Sequence, residues 1–371
     1  MRRRKIDRPN ALITALLVAV AELVSTERSL AQTTVYAVAE LSATVNGGHV
    51  PCRLNNLGDI AGRAGSSIPG QTRAMIWTHG TLQSKSLGAS LGGEYSSASA
   101  INDAGEVVGG ANTLNSIVPF IWTLGGGLRR VPLLPGDKCG QALSINKYGH
   151  VAGYSSGIDG SKAFLWTRKA VRNLGSLPGG NYSRARAVND SDEVVGTSAS
   201  PAGDHAVLWT RIGNVRDLGT LPGDTSSEGI AINNARNVVG YSKGPGGPRA
   251  FLWTEATGMQ DLGVLAGGHS SQALDINDSG QVVGSSSTSS FGDRAFVWTK
   301  QAGMTDLNSA SSAQIGVIFF EAHGINSRGE ILAMGINTHE SGMMGDMASG
   351  VDQMCAPGPP ASFLLTPTTT P

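Results

Sequence analysis

Little in this 371-residue chain points to ready-made chemistry: three cysteines, 5% aromatic residues and 15% charged residues. Cys52, Cys139 and Cys355 allow at most one internal disulfide, which excludes a disulfide-dense scaffold. Unpaired, buried thiols are an equal alternative. Basic and acidic side chains balance at 28 each, leaving no excess positive charge for nucleic acid or an anionic lipid surface. No P-loop, EF-hand loop or paired-cysteine zinc set occurs, so neither metal nor cofactor is expected. What the chain has in quantity is glycine, 51 residues, in the proportion of a turn-rich all-β protein.

The N-terminus is distinct. MRRRKIDRPN precedes the apolar run ALITALLVAV, and Ser29-Leu30-Ala31 offers small residues at a cleavage site. This pattern predicts a secretory signal peptide over 1–31, with a secreted or periplasmic mature chain over 32–371. Glu22 interrupts the apolar stretch before it reaches the roughly 20 residues that span a bilayer, so no integral membrane segment is expected after cleavage. Removing 1–31 takes away six basic and three acidic side chains and leaves 22 against 25.

One phrase dominates the remainder. INDSGQVVG at 276–284 has counterparts beginning at Leu54, Ile101, Ile145, Val188, Ile232 and, more loosely, Ile325. Trp-Thr travels with it, and the six tryptophans stand 45, 44, 43, 44 and 45 residues apart. A period near 44 is that of a four-stranded propeller blade. SQALDIN (271–277), QVVGSSS (281–287), RAFVWT (294–299) and GMTDLN (303–308) parse as the four strands of one unit, separated by Gly, Asn, Asp and Ser turns.

The ends decide the count. The seventh phrase lacks Trp-Thr, but Ser362–Thr366 aligns with the third-strand RAFLWT, with Leu365 in the tryptophan place. The chain then stops without a fourth strand, whereas YAVAELS (36–42) near the N-terminus has fourth-strand character. A seven-bladed β-propeller, a single domain whose N-terminal strand completes the last blade, removes the open edge this would leave. Six or eight blades, or an open β-solenoid, are the alternatives. Each tryptophan is expected to fill the space between neighbouring sheets, and each phrase asparagine to bond nearby backbone in its turn.

DLGTLPGD at 217–224, INDSGQVVG at 276–284 and KAFLWT at 162–167 resemble the HAF-repeat family of probable extracellular repeat proteins. The name-giving triplet is only approximated, as His205-Ala206-Val207. The resemblance implies secretion and a repeat scaffold, and no reaction.

Motifs for catalysis are weak. GYSSG (153–157) and GYSKG (240–244) match a nucleophile pattern but recur at one repeat position with no helix signalled after them. His339-Glu340 lacks a second histidine for zinc, and Asp190, Asp192 and Glu193 read as a hairpin tip rather than a cation site. More informative are departures from the repeat. Five residues before each asparagine the chain varies: Ser97, Gln141, Arg184, Glu228, Gln272 and Glu321. With Arg186, Asp275 and His323 these are expected at one mouth of the central channel, either as a ligand site or as mutually neutralising charges such as Arg184 with Glu228. An insertion over about 336–360, rich in Met and holding His339 and Cys355, is expected on the same face, where a Cys52–Cys355 bridge would staple the ring.

Two functions remain open at this level. A binding or interaction scaffold for an extracellular glycan, peptide or protein is preferred. The alternative is an extracellular polysaccharide lyase or hydrolase working through Glu321, His323, Arg184 and Glu228.

Overall fold

The repeated phrase folds as the turn between the first two strands, A and B, of a four-stranded sheet. The computed structural model describes residues 34–41, 49–65, 71–88, 91–289, 292–310, 316–337 and 361–368. Residues 1–31, most of the expected 336–360 insertion, His339, Glu340 and Cys355 lie outside the described residues. Residues from Val35 onward form one unit, described below.

Seven antiparallel sheets of four strands each make a seven-bladed β-propeller. Blades 1 to 6 run in chain order, A to D, over 49–86, 96–130, 139–173, 183–219, 226–261 and 271–306. Blade 7 takes strands A to C from Val317–Ile325, Ile331–Asn337 and Ala361–Thr368, and its fourth strand is Val35–Glu40, from the other end of the chain. Val35 pairs with Thr368 and Glu40 with Phe363, so the closure expected from the sequence is a six-residue antiparallel ladder. In blade 6 strand D ends at Asp306, and one turn of helix, Leu307–Ala310, replaces the end of the expected strand.

Between each pair of neighbouring blades lies a separate apolar core. Trp209 of blade 4 packs in one cluster with Leu165 of blade 3 and with Leu174 and Leu177 of the connection between them, and Trp77 of blade 1 packs with Leu332 and Leu364 of blade 7. Leu365 pairs with Ile331 as Trp298 pairs with Val282, and is fully buried between blades 6 and 7. The tryptophans are therefore packing residues; a ring of this size buries large side chains only where sheets face each other.

Each asparagine of the phrase does two jobs. Its Oδ1 accepts the backbone N–H four residues on, closing its own turn: Glu106 N–H to Asn102 at 3.0 Å and Glu193 N–H to Asn189 at 3.0 Å. Its Nδ2 donates to the backbone carbonyl of the next blade's asparagine. The chain of bonds runs Asn55 to Asn102, Asn146, Asn189, Asn233, Asn277, Asn326 and back to Asn55, at 3.0 to 3.3 Å. All seven asparagines are buried, where an unbonded amide would be costly.

The other fixed letters have equally local causes. Three residues after the asparagine the backbone is left-handed, with φ of 87° at Gly58 and 80° at Gly280, a region that favours glycine. Asp192 and Arg236 occupy the same place in blades 4 and 5 at φ of 60° and 65°. The glycine that ends the phrase answers a second constraint. Strand A carries a β-bulge three residues before its asparagine in every blade. A Cβ on Gly196 would stand 2.0 Å from the Arg184 carbonyl oxygen, and one on Gly109 2.0 Å from that of Ser97. Blade 7 has Ala333 here, and its strand A contains a second bulge between Phe319 and Glu321.

Serines tie the blades a third way. Ser155, Ser198, Ser242 and Ser286 accept the N–H of Leu134, Leu177, Leu221 and Leu265 at 2.8 to 3.1 Å. Ser155 and Ser242 are the middle serines of GYSSG and GYSKG; both are fully buried, and Ser155 donates to Asp137 at 2.7 Å. They are structural hydroxyls.

Asn102→Ala removes the donor to the next blade and the turn acceptor, leaving the Ala104 and Glu106 N–H groups without their side-chain partner. A loss of about 3 kcal/mol is expected by urea denaturation, and Asn326→Ala, at the closure, should cost as much because the girdle has no end. Gly196→Ala should destabilise comparably or more by overlap with the Arg184 backbone.

Candidate functional site

The bulge gives the channel its lining. Because the bulged residue has no partner on strand B, its side chain is thrust toward the axis. These residues are Cys52, Ser99, Leu143, Arg186, Ile230, Leu274 and His323, of six kinds in seven blades, only leucine recurring. All but Leu274 wall a cavity of about 300 Å³ at the end of the channel where strand A begins, joined there by Val50, Arg53, Arg63, Ser97 and Gln141. At the other end, a cavity of about 230 Å³ is built from the asparagine girdle and the residues beside it.

Of the residues expected at the mouth, Ser97, Gln141, Arg186 and His323 line the cavity. Gln141 donates to Ser99 Oγ at 3.2 Å. Arg186, rather than Arg184, closes on Glu228, at 2.5 Å, and Tyr241 donates its hydroxyl to the other Glu228 oxygen at 2.7 Å. Burial, with that bond to Glu228, pushes the Tyr241 phenol up to about 12 and keeps it a donor. Arg184 lies back with its guanidinium 4.5 Å from the Tyr154 ring. Gln272 does not line the cavity. The expected Arg184–Glu228 pair thus gives way to Arg186–Glu228, because the bulge carries Arg186 forward toward the next blade.

Glu321 and His323 stand 3.8 Å apart. Burial, reinforced by the Arg53 guanidinium, lowers the His323 imidazole to about 4. Burial, with Asp293 nearby, raises the Glu321 carboxyl. His323 is therefore neutral near pH 7, and its Nε2 has no partner among the described residues.

Arg53 was not anticipated. It replaces the small residue found two before the asparagine in blades 2 to 5, and Asp275 replaces it in blade 6. Between them, blade 7 has Gly324, where a Cβ would meet Leu54 Cδ2 at 2.8 Å and Asp275 Oδ2 at 3.5 Å. Through this gap Arg53 reaches across the closure, donating to the carbonyls of His323 in blade 7 and Leu274 in blade 6. Asp275 accepts the Ile325 N–H at 2.9 Å. Burial raises its carboxyl, while Arg53 and the N–H bonds oppose the rise. The visible signal was a long charged side chain at a small-residue position.

Cys52 lines the mouth, and burial raises its thiol. It is not joined to Cys139. Asp190, Asp192 and Glu193 point apart: Asp190 bonds Lys147 and Asn234, Asp192 bonds His150, and Glu193 bonds Asn189 and Arg236. No cluster of three metal-ligating side chains is found among the described residues.

No family model matches the sequence, and no curated protein matches it. Solved structures do. A streptogramin B lyase shares 10% identity at a TM-score of 0.54, over 92% of this chain and all of that one. A catalytically inactive virginiamycin B lyase from Staphylococcus aureus with quinupristin shares 11% at 0.52, over 89% and 99%. A prolyl endopeptidase shares 10% at 0.54, over 89% of this chain and 52% of that chain. At such identities the likeness establishes the propeller fold alone.

Folding keeps His323 neutral while the unfolded imidazole titrates near 6.5, so the unfolded chain binds the extra proton between about pH 6.5 and 4. Stability should fall as pH drops through that window, by up to about 3 kcal/mol. The raised carboxyls of Glu321 and Asp275 act oppositely, weakening the fold as pH rises above their unfolded values. Both remain in His323→Gln, so the wild-type advantage over this variant in urea melts should shrink from pH 7 to pH 4.5. A difference constant with pH would contradict the burial of a neutral imidazole.

Proposed function

We propose that the chain is an exported binding protein that takes part of an extracellular ligand into the channel mouth. The observation that carries this is the contrast along strand A. The asparagine is the same in all seven blades, while the bulged residue three places earlier is of six kinds, only leucine occurring twice. Repetition serves the scaffold; a cavity walled by six unlike bulged side chains is where a ring of repeats becomes specific. Export rests on the signal-peptide pattern of residues 1–31 and on the HAF-repeat resemblance. No helix among the described residues is long and apolar enough to cross a membrane.

Binding is favoured over hydrolysis or lyase chemistry by how the polar groups are used. Glu228 is engaged by Arg186 and Tyr241, and Arg184 stacks on Tyr154, so the four groups of the enzymatic reading do not converge on one substrate atom. A general base and acid must reach the same bond.

The test is a glycan and peptide array probed with purified 32–371 and with Ser99→Trp, which fills the mouth. Wild-type binding abolished in the variant at unchanged melting temperature is the expected result. Binding that survives Ser99→Trp would place recognition on the outer surface, and turnover of a bound polysaccharide would restore the enzymatic reading.

A further inference from the structure

Resting on that reading of the mouth, we infer that its ligand is a peptide carrying a carboxylate beside aliphatic side chains. The arginines at the mouth set the charge. Arg63 has no ion pair among the described residues and only a 3.5 Å contact to the Tyr95 hydroxyl. Arg53 spends its N–H groups on backbone carbonyls and forms no ion pair among the described residues, although the buried Asp275 carboxyl lies within reach of its charge. No carboxylate lines the cavity with them. A planar guanidinium presents paired donors that fit a carboxylate in bidentate fashion, and a half-buried cavity strengthens that contact over its value in open water.

The rim selects the class of molecule. In an antiparallel blade the B–C hairpin returns to the face where strand A begins, so the hairpins of blades 2 and 3 flank the mouth. Their exposed apolar side chains are Leu114, 88% exposed, Ile117, 44%, and Ile158, 100%, with Asn115 and Asp159 exposed beside them. Ile117 lies beside the cavity-lining Gln141: a Cβ on Gly110 would touch Ile117 Cγ2 at 3.1 Å and Gln141 Cγ at 3.2 Å, so the two side chains flank one glycine. The remaining exposed large apolar residues among the described residues, Leu57, Leu124, Tyr148 and Ile212, belong to the A–B and C–D turns on the opposite face. Sugars are gripped by open aromatic platforms; the tyrosines Tyr95, Tyr154 and Tyr241 on this face are partly buried and are engaged by Arg63, Arg184 and Glu228. Aliphatic groups beside an arginine cavity instead suit leucine- or isoleucine-type side chains next to a peptide carboxylate.

The carboxylate could belong to a C-terminus or to an aspartate or glutamate side chain, and the same experiment separates them. Fluorescein-labelled pentapeptides would be titrated against purified 32–371 by anisotropy: one series ending in Leu-Ile with a free carboxylate, its amidated twin, and an amidated series with internal Asp or Glu flanked by Leu. A polyuronate oligosaccharide serves as the acidic sugar. Expected are at least tenfold weaker binding after removal of the carboxylate, a similar loss in Arg63→Gln with partial recovery in Arg63→Lys, and a severalfold loss in Ile117→Ser/Ile158→Ser. Melting temperatures of the variants report folding separately.

Equal binding of free and amidated peptides, or no peptide binding at millimolar concentration, overturns the inference. So does polyuronate binding indifferent to the rim variants. If array ligands are lost in Ser99→Trp yet ignore Arg63→Gln, the mouth remains the site and only its carboxylate specificity fails.

Discussion

The asparagine amide at the A–B turn is the contact on which the rest of this ring depends. It satisfies backbone donors inside one turn and hands its own donor to the next blade, so local turn formation and blade-to-blade registration are one interaction. Because Asn326 returns to Asn55, the girdle is closed by the same bond that repeats elsewhere, and the chain's two ends meet in a ladder rather than at a free edge. Apolar packing between sheets supplies more burial, but packing is tolerant of angle. Hydrogen bonds of about 3 Å are not, and they set the spacing at which seven blades meet the axis.

A second consequence follows from the bulge. It displaces one residue per blade into the lumen and pulls strand A so close to strand B that glycine is needed opposite it. The scaffold's constraints therefore fall on the asparagine and two glycines, while the bulged side chain is released from any pairing role. This division lets the two ends of the channel differ: one is a repeated polar girdle, the other a mixture of thiol, hydroxyl, guanidinium, imidazole and aliphatic groups. At the closure the same freedom is used structurally. Arg53 passes over Gly324 to bond blades 6 and 7, joining three blades where the chain begins and ends.

Much of the architecture was legible because every unit repeats the same burial problem. Tryptophan spacing gave the blade length, and Leu365 could be placed because it sits in the register of Trp298. The terminal strand was legible from Glu40-Leu41 standing where other blades have Asp-Leu. What was not legible was the bulge, since strict alternation puts positions 184 and 186 on one face with no reason to choose between them. That is why Arg184 was expected to meet Glu228 and Arg186 does. The girdle was half visible: asparagine before a turn signals a local cap, but the reach to the next blade depends on how close blades approach, which no single repeat encodes. Arg53 and Arg63 were not legible because the first stands at a position that is small in blades 2 to 5 and the second lies on strand B, opposite Val50, where no repeat pattern points to the channel.

Hydrogen exchange would test the girdle most directly. The N–H groups of Asp59, Glu106, His150, Glu193, Asn237, Gln281 and Glu330 all lie in turns at the end of the channel and all donate to a girdle asparagine at 2.8 to 3.0 Å. Surface turns ordinarily exchange by local fluctuation. The girdle predicts that these seven exchange together, as slowly as strands A and B, and only with global unfolding. Fast exchange at these amides beside protected strands would show that the blades are held by packing alone, contradicting the account.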